Sequence, residues 1–62
     1  MTEDQVSIVL DVLRKRRAEN GATRFLLEIA ANVLNASSGS GQARKELAKL
    51  WYEMDKELFK SA

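Results

Sequence analysis

The sequence contains no cysteine, no histidine and no proline. Without cysteine there is no disulfide framework, no thiolate metal site and no sulfur nucleophile. Without histidine, the commonest metal ligand and the commonest acid–base group are both missing. With no proline and only 3 glycines, little interrupts a helix. An excess of one charge is also lacking: 10 Lys and Arg stand against 9 Asp and Glu, for a net charge of +1. That balance implies no long-range field toward nucleic acid or a membrane surface. Apolar runs are short. The longest runs of large apolar residues, such as Ile8-Val9-Leu10 and Phe25-Leu26-Leu27, are three residues each, far below the ~20 residues of a membrane span. The stretch from Thr2 to Val6 is polar and acidic, unlike a secretory leader, so a cytosolic or recombinantly produced protein is expected.

What remains is a chain of 62 residues, 45% of them apolar. That is enough apolar content to fold, and one domain is the expectation. A chain this short buries only about 60% of its unfolded surface. With no disulfide or metal to staple it, stability must come from packing or association.

Glycine divides the chain into three segments. Gly21 breaks it once, and Ser37-Ser38-Gly39-Ser40-Gly41 breaks it again. Helices are predicted at about 3–19, 22–36 and 42–60. Thr2 with Gln5 reads as a capping box, and Glu3 and Asp4 suit the positive end of the first helix. Arg14, Lys15, Arg16 and Arg17 suit its negative end, and Asn20-Gly21 supplies a left-handed stop. The short Gly21 break fits a helical hairpin. Ser40 is the expected N-cap of the third helix. Residues 37–41 read as a flexible linker, either an ordinary polar loop or an engineered connection. The fold class is therefore all-α, a small three-helix bundle in which a hairpin meets a third helix across a Gly/Ser loop.

Catalytic constellations are missing. Nucleophilic catalysis needs a base beside the nucleophile, and no serine–lysine spacing stands out. Glu53 and Glu57 are one turn apart, but a carboxylate metal site in a bundle wants Glu-x-x-His pairs. Lys49, Lys56 and Lys60 offer these acids ion pairs instead. No Gly-rich phosphate loop is present. The expectation is a non-enzyme without cofactor, metal or small-molecule ligand. The run Arg14 to Arg17 could touch phosphate. However, the second segment offers only Arg24 as a basic reader, and no aromatic interleaves with the run. Nucleic-acid binding is therefore disfavoured. Asn35-Ala36-Ser37 matches a glycosylation sequon, which means little without a secretory leader.

Helical periodicity places the apolar surface. In the third segment Ala43, Leu47, Leu50, Trp51, Met54 and Leu58 fill an arc of roughly 100°, the stripe of a helix facing one core. Ala48, Tyr52 and Phe59 form a second stripe beside it. In the first segment Val6, Val9, Leu10 and Leu13 make one face, which Ile8 and Val12 widen to roughly 200°. The second segment is equally broad, from Phe25 round to Leu27. The expected core is Leu10, Leu13, Leu26, Ile29, Val33, Leu47, Leu50, Trp51, Met54 and Leu58. The surplus arcs suggest a second buried face against a partner chain or a second copy. Two patches compete for it: Ile8 and Val12 beside Arg16, and Tyr52 and Phe59 with Ala48. Both would be covered together if the first and third helices lie side by side with a partner across their seam.

In length, in three similar helices, in the missing cysteine, histidine and proline, and in the Ser38-Gly39-Ser40-Gly41 connector, the whole chain resembles compact three-helix mini-proteins of the designed-binder type. The resemblance implies one helix face aimed at a protein target. Asn32, Asn35 and the valine-rich first segment depart from the habits of idealised designs. They suit a natural hairpin, joined through the linker to a partner helix. The functional expectation is a helical protein-binding module. The alternatives are a self-associating docking domain and a small nucleic-acid-binding regulator using Arg14 to Arg17.

Overall fold

A computed structural model describes residues 1–61, with the side chain of residue 61 excluded. It contains three helices: α1 (Glu3–Asn20), α2 (Arg24–Ala36) and α3 (Gln42–Ser61). Each packs against the other two, giving a bundle of 33 × 18 × 16 Å. No strand occurs among the described residues.

The helix boundaries follow from local chemistry. Thr2 Oγ1 accepts the Gln5 amide and Gln5 Oε1 accepts the Thr2 amide, which completes the capping box. Gly21, at φ 78°, ends α1 and donates its amide to Arg17 O at 2.8 Å. A Cβ is strained in that conformation, so glycine is the fitting residue. The second helix starts two residues later than its apolar periodicity suggested. Thr23 is its N-cap, accepting the Leu26 amide at 3.2 Å, and the helix begins at Arg24.

The third helix is capped differently from the sequence expectation. Gly41, and not Ser40, holds the N-cap position, with its carbonyl accepting the Lys45 amide at 3.1 Å. The side-chain acceptor comes from another helix: Glu3 Oε1 takes the Ala43 amide at 2.6 Å. A carboxylate there meets both an orphan donor and the positive helix end. No sequence rule for local caps reaches across 40 residues.

The start of the Gly/Ser segment is likewise structural. Ser37 is buried, donates to Leu34 O at 3.1 Å and accepts from Arg44 Nε at 3.0 Å. Arg44 also reaches Leu34 O at 3.3 Å, and the Met1 ammonium donates to Ala36 O at 2.9 Å. Cationic donors thus close the carbonyl end of α2. Only Ser38, Gly39 and Ser40 are exposed, so the freely variable stretch is shorter than residues 37–41.

The core comprises Val6, Leu10, Leu13, Leu26, Ala30, Val33, Ala43, Leu47, Leu50 and Met54. Seven of the expected core residues are among these. Ile29, Trp51 and Leu58 are only partly buried: Ile29 and Trp51 pack against the core edge, and Leu58 lines a surface groove. Val6, Ala30 and Ala43 take the central places instead. Ile29 and Trp51 lie at the edges of their apolar arcs, where a side chain meets the core on one side and solvent on the other, and Leu58 lies in the last turn of α3. Among the described residues, every buried side-chain polar atom has a partner.

Candidate protein-docking surface

Three seams separate three helices, and their chemistry differs. Along the α1–α3 seam, Arg17 donates through Nε to Glu57 Oε1 at 3.1 Å and through an η nitrogen to Glu53 Oε2 at 3.3 Å. A second guanidinium nitrogen also contacts Glu57 Oε1. Arg14 lies 3.7 Å from Glu46. The Glu3–Ala43 and Arg17–Glu57 contacts share a separation of 40 residues, so α1 and α3 run parallel in fixed register. Hydrogen bonding and the charge of Arg17, with a backbone hydrogen bond from Ala22, hold the Glu57 carboxyl below its ordinary range against the opposing effect of desolvation. The same hydrogen bond raises the Arg17 guanidinium further.

This polar seam splits the basic run. Arg14 and Arg17 turn toward acids of α3, while Lys15 and Arg16 are exposed and have no ion-pair partner among the described residues. The four residues do not form one cationic patch. The seam also separates the two apolar patches, so a partner lying across α1 and α3 would meet charge rather than cover both.

The α1–α2 seam is apolar. On its outer side a groove of ≈ 540 Å³ has Leu13 and Leu26 at its floor and Val9 and Ile29 half-buried above them. Ile8, Val12 and Phe25 stand on its walls at 65%, 50% and 66% exposure. Among the described residues Arg16 is the one charged residue lining it, with Asn20 and Thr23 at the same end. Ile8, Val12 and Arg16, grouped from the sequence, all line this groove; Phe25, which was left out of that group, and Ile29, which was expected in the core, line it too. The missed signal was their spacing: Phe25 and Ile29 are one turn apart, on the flank of α2 opposite Leu27 and Leu34.

The other patch is more dispersed. Phe59, at 85% exposure, edges an α2–α3 groove of ≈ 470 Å³ with Arg24, Leu27, Asp55 and Leu58. Tyr52 is exposed beside Ala48, and Lys56 Nζ lies 4.9 Å from its ring centroid. The lysine covers one face of the ring with a cation–π contact and leaves less apolar surface free.

Among the described residues no cluster of three or more carboxylates, histidines or cysteines could hold a metal ion. Glu53 and Glu57 are engaged by Arg17, and no described helix is long and apolar enough to cross a membrane. Known proteins add no constraint. No family model, curated protein or solved structure matches the chain.

Proposed function

We propose that this chain is a non-enzymatic helical docking module whose α1–α2 groove receives the apolar face of another helix. One observation carries the reading. The α1–α2 hairpin is apolar on two sides: α3 covers one, and Ile8, Val12, Phe25 and Ile29 line the other. The groove offers a docked helix what the opposite side already offers α3, an apolar seam between two helices. The designed-binder resemblance implies the same kind of function.

The energetics favour modest affinity. Covering the exposed parts of Ile8, Val12 and Phe25 contributes about 1–2 kcal/mol each. Association costs of at least about 4 kcal/mol offset much of this. The groove therefore needs matching apolar contact from its occupant.

The test is methyl NMR during titration with a helical peptide bearing leucines at positions i, i+3, i+4 and i+7. The Ile8, Val12 and Ile29 methyls should shift together, while those of Leu27 and Leu58 stay in place. Absence of any shift, or shifts confined to Leu27 and Leu58, would overturn the assignment of the groove.

A further inference from the structure

We infer that the groove's occupant is the α1 helix of a second copy of this chain, packed antiparallel. The inference rests on the docking reading above and adds its partner. Asp4, Ile8, Val12 and Arg16 are spaced by four residues along α1, and all four are exposed. Residues four apart form a continuous ridge on a helix, and such ridges pack into the grooves of a neighbouring helix. This ridge reads acid, apolar, apolar, base. Reversed, it reads base, apolar, apolar, acid. Laid against its own reverse about a two-fold axis between Ile8 and Val12, it sets each Ile8 on the other copy's Val12. It also sets each Asp4 toward the other copy's Arg16.

Such self-complementarity is what a two-fold interface demands, because the same patch must serve both sides. A parallel arrangement would set Asp4 on Asp4 and Arg16 on Arg16, which is repulsive. Among the described residues neither Asp4 nor Arg16 has an ion-pair partner, whereas Arg14 and Arg17 on the opposite flank are both taken by α3. Asp4 and Arg16 are thus available, at the two ends of the ridge, for the antiparallel copy to pair. Arg16 also lines the groove, so the ion pair and the apolar contact share one surface. Val9, Phe25 and Ile29 then receive the incoming Ile8 and Val12.

Sedimentation equilibrium with charge-swapped variants tests the inference, with circular dichroism confirming helicity of each. The wild-type chain should approach a dimer, twice its 7.0 kDa, as concentration rises toward about 1 mM. Asp4→Arg alone and Arg16→Glu alone should each weaken the dimer by about tenfold or more, because like charges meet at both ends. Mixing the two variants, or combining both changes in one chain, should restore it. A chain that stays at 7.0 kDa throughout overturns the second copy as occupant. So does a dimer indifferent to the single changes or not restored by the swap. In either case groove methyls that still respond to the leucine peptide leave the docking reading standing, and methyls that do not respond remove it as well.

Discussion

Glu3 hydrogen-bonds the start of α1 to the start of α3, and Gly41 is what leaves room for it. A Cβ at Gly41 would overlap the Glu3 carboxylate, lying 2.5 Å from its Cδ. The obstacle is the far end of a flexible side chain, so Gly41→Ala leaves the backbone in place and swings Glu3 away. The Ala43 amide then loses its acceptor. Loss of a helix cap costs about 0.5–2 kcal/mol. Against this, replacing glycine stiffens the unfolded chain and stabilises by about 0.4–1 kcal/mol where the backbone tolerates it. Gly41 is outside the left-handed region, since only Gly21 and Gly39 have positive φ. The net effect of Gly41→Ala should therefore be small, between a stabilisation of about 0.5 kcal/mol and a destabilisation of about 1.6 kcal/mol.

The informative quantity is the coupling. In a Glu3→Ala background the cap is already gone, so Gly41→Ala should there become stabilising. Urea denaturation of the wild type, the two single variants and the double variant gives this coupling directly, expected at about 1 kcal/mol. Additive effects would show that the Glu3 carboxylate does not cap α3 and that Gly41 is interchangeable. The same cap contact sets the parallel register of α1 and α3, so additivity would also weaken that part of the fold.

Other predictions follow from the same structure. Leu47 is fully buried, and Leu47→Ala should lower stability by about 2–5 kcal/mol, most of what so small a domain has; chemical denaturation measures it. Because the folded Glu57 carboxyl lies below its ordinary value, its stabilising effect is present above that value and is lost as pH falls through the folded one. Melting curves across acidic pH should therefore be less pH-dependent for Glu57→Gln than for the wild type. Ser38 and Ser40 are exposed, and replacing either with another small polar residue should change stability by no more than about 0.5 kcal/mol; Ser37→Ala, which removes a buried hydrogen-bonded hydroxyl, should cost about 1 kcal/mol or more.

The helices were legible because their signals are local. Thr2 with Gln5, Asn20 with Gly21, and the apolar spacing of α3 each act within two turns. The Glu3 cap and the Arg17 clamp were not legible, because each joins residues about 40 apart. Periodicity defined the width of each apolar arc but not which flank faces which neighbour. Ile29 and Leu58 were therefore read as core although they sit at seams, and Ala30 was passed over although it sits at the centre. The groove was half legible for the same reason. Ile8, Val12 and Arg16 share one helix, whereas Phe25 joins them only once α1 and α2 are paired.

Two substitutions measured side by side test the central claim, that the α1–α2 groove is the docking surface. Val12→Glu and Phe59→Glu each place a charge at an exposed apolar position, 50% and 85% exposed in the folded chain. For both, helicity is read by circular dichroism, and association with a second copy or with the leucine peptide by sedimentation. The account predicts that both variants stay helical, that Val12→Glu abolishes association and that Phe59→Glu leaves it intact. If Val12→Glu unfolds the monomer, or if Phe59→Glu is the variant that loses association, the groove is not the docking surface.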